Sequence, residues 1–327
     1  MIMGTDLIND AWEESLTSSR ALMVLSKRIG SPRGLATSLA VEAIVHAYRG
    51  EIVAARRSAA EARQVYGNAA AVDRHIFIFV EISEAITALA GGDAEQARRF
   101  AAAAVAAPDV LPVLAFMVMG EAEVAANDPE AALLTASHLR DLGPKAPWPV
   151  ACASWVDGLA RAALGQRSSA LACLHDAADR LEGLGFPYQE AKARLRWAEV
   201  AVGGLGSDAD ASQARSEAAA VARGALINFD RLGARPLADR ARRLLRDLGE
   251  RLRPPHREVT GDLSDRELQV VRLVAEGLSN NEIAARLYIS PRTVTTHLQH
   301  VYQRLGLASR TALIQWALDR GLAPDNT

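Results

Sequence analysis

The apolar residues of this chain recur with the spacing of α-helices, and residues 1–250 lack the alternating strand and helix patterns of α/β domains. Near the C-terminus, four apolar residues form one helical stripe: Val294, Leu298, Val301 and Leu305. Half of all residues are hydrophobic but only 5% are aromatic, and alanine is abundant. This composition favours closely packed helices over a β-sandwich. We therefore predict an all-α fold.

Capping patterns mark where the C-terminal helices begin. Three sites carry such a pattern: Ser264 with Glu267, Ser279 with Glu282, and Ser290 followed by Pro291. Only two residues separate the second helix, 280–288, from the third helix, 291–305. Helices joined by so short a turn must cross steeply, as in a helix-turn-helix, so the third helix is predicted to read DNA. Gly306 is expected to end that helix, and Ser309 to cap a fourth.

Charge around the third helix suits a nucleic acid. Between Ile283 and Leu318 there are four arginines and no carboxylate. Because a DNA duplex carries dense negative charge, a surface without acidic residues is what a reading helix requires. Taken singly, the arginines could equally be solvated surface residues. His297 and His300 could form a metal pair, but the nearby sequence offers no third ligand.

The segment resembles the LuxR-type helix-turn-helix domain. The resemblance is carried by Leu263, Arg266, Glu267, Glu276, Gly277, Ser279, Asn280, Glu282, Ile283, Ala284, Ile289, Ser290, Thr293, Val294, His297, Leu305, Gly306 and Arg310. It implies that residues following Thr293 and Val294 enter the major groove. The candidate DNA-binding residues are Asn280, Arg286, Arg292, Thr295, Thr296, His297, Gln299, His300 and Arg304. Many family members have lysine where this chain has Thr295, and a basic residue near Gln299, so two phosphate or guanine contacts are missing here.

An internal repeat precedes this segment. A turn residue followed by a polar residue recurs at 42-, 35- and 38-residue intervals: Gly50-Glu51, Gly92-Asp93, Asn127-Asp128 and Gly165-Gln166. Alanine lies five positions after each turn, and alanine or glycine lies seven positions before it. Small residues at these offsets allow antiparallel helices to approach closely. The pattern resembles tetratricopeptide-like helical hairpins, and a later echo at Gly185 and Gly233 extends the predicted array to about Leu248.

The array followed by the helix-turn-helix segment resembles the C-terminal part of the large ATP-binding, MalT-like group of LuxR-type regulators. Those proteins begin with a phosphate-binding ATPase module. The three lysines of this chain, Lys27, Lys145 and Lys192, do not lie in a phosphate-binding loop. The resemblance therefore implies either a natural regulator without the ATP switch or a shortened form of a longer one.

Charge is nearly balanced overall, and the cysteine content indicates a cytoplasmic protein. The formal net charge is −2, yet residues 251–327 hold 10 arginines against 8 acidic residues. Cys152 and Cys173 lie in apolar helical patterns and are interpreted as buried free thiols, as expected in a reducing compartment. Residues 1–14 are acidic and unlike a secretory signal, and the longest apolar run, Val110–Met119, is too short to span a membrane.

We predict a tetratricopeptide-like helical repeat array at residues 1–249, a linker at 250–259 containing two consecutive prolines, and a four-helix LuxR-type helix-turn-helix domain at 260–321. The predicted function is sequence-specific binding of double-stranded DNA to regulate transcription, without enzymatic activity or cofactors. The array would sense an effector or a protein partner in the groove of its stacked helices, and contact with RNA polymerase is a further expectation. The alternative is a helical-repeat scaffold with a degenerate DNA-binding domain.

The final helix is rich in apolar residues: Leu313, Ile314, Trp316, Ala317 and Leu318. One face of a small unit needs fewer, so a second buried surface is expected, and we predict a homodimer through this helix. Two-fold pairing would place two reading helices on an inverted-repeat operator. Alternatively, Ile314 and Trp316 cover the array or the third helix.

Overall fold

The computed structural model describes residues 12–67, 74–106, 112–143, 146–204, 209–250, 263, 265–287, 289–305, 307, 309–318 and 322. Across these residues the chain forms sixteen helices and no strand, which confirms the predicted all-α fold. The chain divides into two compact units, Met1–Arg251 and Leu252–Thr327. None of the described helices combines the length and apolar content that a membrane crossing requires.

The first unit is an array of helical hairpins. Its described helices are α1 (Trp12–Ile29), α2 (Pro32–Tyr48), α3 (Ile52–Gly67), α4 (Arg74–Ala90), α5 (Ala94–Val105), α6 (Pro112–Ala125), α7 (Pro129–Asp141), α8 (Pro147–Ala163), α9 (Arg167–Gly183), α10 (Pro187–Val202), α11 (Ala209–Leu232) and α12 (Arg235–Asp247). Each helix packs on the next one along the chain, and α2, α4, α6 and α8 also pack on one another in succession. This is the packing of stacked repeats.

The four predicted repeat turns share one backbone conformation. Gly50, Gly92 and Gly165 have φ of 77°, 82° and 73°, and Asn127 has φ of 62°. Asn127 is the one residue other than glycine in the described segments with positive φ. In the second turn, the N–H of Asp93 donates to the carbonyl oxygen of Ala88 at 2.9 Å. In each of the other three turns, the residue at the same position also donates its N–H to the carbonyl oxygen five residues earlier. The turn predictions are confirmed.

Small residues let the hairpins approach closely. The alanines five positions after each turn are fully buried: Ala55, Ala97, Ala132 and Ala170. A Cβ placed on Gly120 would lie 2.3 Å from Cγ1 of Val156, and one on Gly158 would lie 2.7 Å from Cγ of Leu174. The predicted reason for the small residues is therefore confirmed.

The two ends of the array contact each other. Rings from α1 and α2 meet a ring from α10: the centroid of Tyr188 lies 5.1 Å from that of Trp12 and 4.5 Å from that of Tyr48. Gly50 lies against Pro236 at the start of α12. In an open stack each hairpin would contact only its neighbours. The array is therefore not an open stack, because aromatic side chains join α1 and α2 to α10 and Gly50 lies against α12.

The second unit contains α13 (Asp265–Ala275), α14 (Asn280–Leu287), α15 (Pro291–Leu305) and α16 (Arg310–Leu318). Its core is built largely from branched aliphatic residues of all four helices. The predicted stripe lies inside it, with Val294 and Val301 fully buried and Leu298 nearly so. Only Ile289 and Ser290 are described in the turn between α14 and α15, because Tyr288 lies outside the described residues. Gly306 and residues 319–321 also lie outside them.

Candidate nucleic-acid interface

Helix caps set where each helix of the second unit begins. The Ser279 N–H donates to Oε2 of Glu282 at 2.7 Å, and the Glu282 N–H donates to Oγ of Ser279 at 3.4 Å, which confirms this capping box. These hydrogen bonds to Ser279 lower the pKa of Glu282. Ser290 caps α15 by accepting from the Thr293 N–H at 3.1 Å, and Ser309 caps α16. Ser264, the predicted partner of Glu267, lies outside the described residues.

The outward face of α15 consists of polar side chains. Arg292, Thr295, Thr296 and Gln299 are exposed, whereas His297 is half-buried on the flank of the helix. The Thr296 hydroxyl donates to the Arg292 carbonyl oxygen at 3.1 Å. Within the described part of the chain, the side chains of Arg292, His297 and Gln299 have no hydrogen-bond or ion-pair partner. They are therefore available to an external ligand.

One flank of α15 is connected to α14 and α16. Arg310, the first residue of α16, donates through Nη1 to Oδ1 of Asn280 at 3.0 Å and through Nη2 to the Leu278 carbonyl oxygen. Asn280 donates through Nδ2 to Oγ1 of Thr295 at 3.4 Å, and Thr295 donates to the Pro291 carbonyl oxygen at 3.0 Å. Asn280 and Thr295, both predicted site residues, are thus in direct contact, and Arg310, which is not among the predicted site residues, binds Asn280.

The opposite flank of α15 is held by a buried carboxylate. Glu267 on α13 is 3% exposed, and its Oε2 accepts from Nη1 of Arg304 at 2.8 Å. His300 lies beside it, with Nδ1 3.9 Å from Oε1 of Glu267. Arg304, a candidate DNA-binding residue, thus forms an ion pair within the unit while its side chain stays partly exposed. Helical spacing could have predicted that Glu267 is buried, because it lies on the same stripe of α13 as Val270, Val271 and Val274.

Acidic residues from outside the segment 283–318 approach two of its four arginines. Besides the contact of Glu267 with Arg304, Oε2 of Glu276 lies 3.7 Å from Nη1 of the exposed Arg286. The absence of carboxylates along the segment therefore does not extend to its surroundings in space. Arg292, on the outward face, is the arginine of α15 that the described residues leave unpaired.

Residues 262–317 match the family model described as bacterial regulatory proteins of the luxR family. The C-terminal unit carries a LuxR-family helix-turn-helix domain. The match includes the described residues of α13, α14 and α15 and most of α16. The resemblance identified from the sequence is thereby confirmed for this domain.

Relatives of the chain are named as regulators. A protein of Mycobacterium bovis, provisionally named as an HTH-type transcriptional regulator, is 38% identical over 252 residues, which cover 72% of this chain and 25% of that protein. A similarly named protein of Mycobacterium tuberculosis H37Rv is 37% identical over the same shares. The oxygen regulatory protein NreC of Staphylococcus aureus is 43% identical over 60 residues, 18% of this chain and 28% of NreC. The chain spans a quarter of the length of its mycobacterial relatives.

The mycobacterial similarity extends beyond the LuxR-family domain. The family match is confined to residues 262–317, so a match over 72% of the chain must also include much of the helical array. The array is therefore shared, over much of its length, with these relatives. The resemblance to MalT-like proteins in particular stays a prediction.

Proposed function

We propose that this chain regulates transcription by binding specific sequences of double-stranded DNA, with α15 in the major groove. The observation that carries the proposal is the outward face of α15, where Arg292 and Gln299 are exposed and unpaired within the described part of the chain. Arginine can pair with guanine through two hydrogen bonds, and glutamine with adenine. The luxR-family match and the regulator names of the relatives support the same function.

The nine predicted residues divide into three roles in this proposal. Arg292, Thr295, Thr296 and Gln299 face the bases, with His297 at the edge of this face. Arg286 is exposed and contacts a phosphate. Asn280, His300 and Arg304 support α15 from its two flanks through their contacts with Thr295 and Glu267. Supporting residues of this kind affect binding by orienting the helix.

Selection of bound duplexes from a randomised pool, followed by affinity measurements, tests the proposal. Arg292→Ala or Thr296→Ala should reduce discrimination at one base pair by about 1–3 kcal/mol. Arg20→Ala, which changes an exposed arginine on α1, is the control and should leave site preference unchanged. If the parent protein binds all duplexes alike, the scaffold alternative replaces this function.

Pairing through α16 is the proposed assembly. Within the unit, Leu313 and Ala317 are buried, and Ile314 and Trp316 already pack partly against the core. Leu318 remains 51% exposed and is the residue best placed to contact a second copy. We expect Leu318→Glu to convert two protected half-sites into one in a DNA footprint. If the parent protein at saturating concentration protects a single half-site as a monomer, the proposed dimer is refuted.

The array is proposed to receive a signal or a protein partner. Alternate helices α4, α6, α8, α10 and α12 line a cavity of about 340 Å³, which is large enough for a small ligand. At its wall, Nζ of Lys192 lies 2.8 Å from Oε1 of Glu121 and 5.1 Å from the ring centroid of Trp155. Deleting residues 1–249 should change promoter output. Unchanged output and unchanged DNA binding would contradict a controlling role.

The boundary of the two domains is part of the proposal. We place the linker at 250–259, so that limited proteolysis should first cut between Leu252 and Gly261. The fragment that follows should retain its helical signal. Early cleavage inside the array would contradict this boundary.

We also expect that the protein neither binds nor hydrolyses ATP. Saturable nucleotide binding measured by calorimetry would contradict that expectation.

A further inference from the structure

The hydrogen bonds from Arg310 to Thr295 run in a single direction. A guanidinium can only donate, so the Asn280 atom that faces Arg310 must be the amide oxygen, at 3.0 Å from Nη1. The amide nitrogen is then left for Thr295, 3.4 Å away. Arg310 is itself held in place, because its second nitrogen donates to the Leu278 carbonyl oxygen. The orientation of the Asn280 amide is therefore set by Arg310.

This orientation determines what Thr295 can offer. A hydroxyl that accepts from Asn280 must direct its own proton elsewhere, and the Pro291 carbonyl oxygen accepts it at 3.0 Å. Thr295 is exposed, so its methyl group and its remaining lone pair face the surroundings without a free donor. In the major groove adenine and cytosine present amino donors and thymine presents a methyl group, whereas guanine presents two acceptors.

We propose that Arg310 is a positioning residue for sequence recognition: through Asn280 it makes Thr295 an acceptor, so that α15 disfavours guanine at the base that Thr295 meets. The inference rests on the proposed function, since it requires α15 to lie in the major groove. Arg310 lies at the start of α16 and outside the outward face of α15. It therefore acts on specificity without contacting a base.

The test uses the full chain and duplexes chosen from a randomised pool. Thr295→Ala first locates the base pair that this residue reads. At that base pair, Arg310→Met should reduce discrimination against guanine on the order of fivefold, the equivalent of a weak base contact. In this variant, the base preferences set by Arg292 and Gln299 at other base pairs should remain unchanged. Arg310→Lys retains a donor for Asn280 and should preserve most of the discrimination.

A double-mutant cycle separates positioning from general support of the fold. In a Thr295→Val background, which lacks the hydroxyl but keeps its shape, Arg310→Met should have no further effect on guanine discrimination. Arg272→Met, which changes an exposed arginine of α13, is the matched control and should leave this discrimination unchanged. If Arg310→Met fails to fold, Asn280→Ala breaks the same chain of hydrogen bonds and should produce the same loss.

The outcomes distinguish the two proposals. A parent protein without any sequence preference would refute the proposed function itself. A parent protein with a clear preference that Arg310→Met and Asn280→Ala both leave intact would refute only the role of Arg310. An equal loss at every base pair, or an additive effect in the Thr295→Val background, would also overturn it by showing that Arg310 supports the unit as a whole.

Discussion

The array and the LuxR-family domain are both helical, but they are held together in different ways. In the array, helices approach closely because glycine and alanine occupy the contact positions, as Gly120 against Val156 shows. In the LuxR-family domain, branched side chains such as Val294 fill the core, and polar residues contact α15 on both flanks. Added volume should therefore destabilise the array, whereas added charge or the loss of hydrogen-bond donors should impair the LuxR-family domain.

The largest expected effect on stability is that of a charge buried in the core of the LuxR-family domain. Val294 is fully buried, and Val294→Asp should unfold the second unit, because an unpaired buried carboxylate is destabilising by several kcal/mol. Circular dichroism and DNA binding would measure the loss of the folded second unit, while the unfolding transition of the array should be unchanged. Thr296→Asp, at an exposed position of the same helix, should abolish DNA binding yet keep the fold. Unfolding by both variants would contradict this distinction.

Added volume in the array comes next. Gly158→Ala brings a Cβ to 2.7 Å from Cγ of Leu174 and 3.2 Å from its backbone nitrogen, so we expect destabilisation of about 1–3 kcal/mol. Gly224 is exposed on α11, and an added Cβ would meet no neighbouring group within 4 Å, so Gly224→Ala should instead stabilise by roughly 0.5–1 kcal/mol. Urea unfolding measures both. Shifts of the same sign would show that close approach does not govern the array.

A smaller effect is expected at the turns. Asn127 holds φ at 62°, a conformation that glycine adopts freely and alanine does not. Asn127→Ala should destabilise the array by about 1 kcal/mol, while Asn127→Gly should be neutral or stabilising. Thermal unfolding compares the two variants. An alanine variant as stable as the glycine variant would mean that the left-handed turn is not required there.

The smallest expected effect concerns a buried carboxyl group in the array. Burial raises the pKa of Glu123, whose Oε2 accepts from the Thr135 hydroxyl at 2.7 Å. Because the folded pKa exceeds the unfolded one, the ionised group lowers stability above the usual glutamate range, and protonation removes that penalty as the pH falls. Glu123→Gln should therefore stabilise the array at neutral pH by roughly 1 kcal/mol or less.

The advantage of Glu123→Gln should shrink as the pH falls through the raised pKa. Glu130→Gln, which changes an exposed glutamate at the start of α7, is the matched control and should show no such trend. Chemical unfolding at a series of pH values measures the difference. A constant advantage across the series would contradict an ionised carboxylate as its cause.

Local sequence was sufficient for the helices and their ends. The capping box at Ser279 and the left-handed turns at Gly92 and Asn127 depend on residues within a few positions of each other, so spacing along the chain predicts them. The buried stripe of α15 follows from helical periodicity for the same reason. These local rules also carried the resemblance to the LuxR family, which the family match confirms for residues 262–317.

Tertiary structure decided which polar residues meet. Arg304 and Glu267 are 37 positions apart, and Arg310 and Asn280 are 30 apart, so neither contact follows from helical spacing. The aromatic contact between Tyr48 and Tyr188 likewise joins distant hairpins. Sequence pattern states which face of a helix is polar, but the partner of each side chain depends on how the helices cross. For that reason the sequence determined the helices and the polar face of α15, and only the folded chain distinguished residues that face outward from those that hold α15 in place.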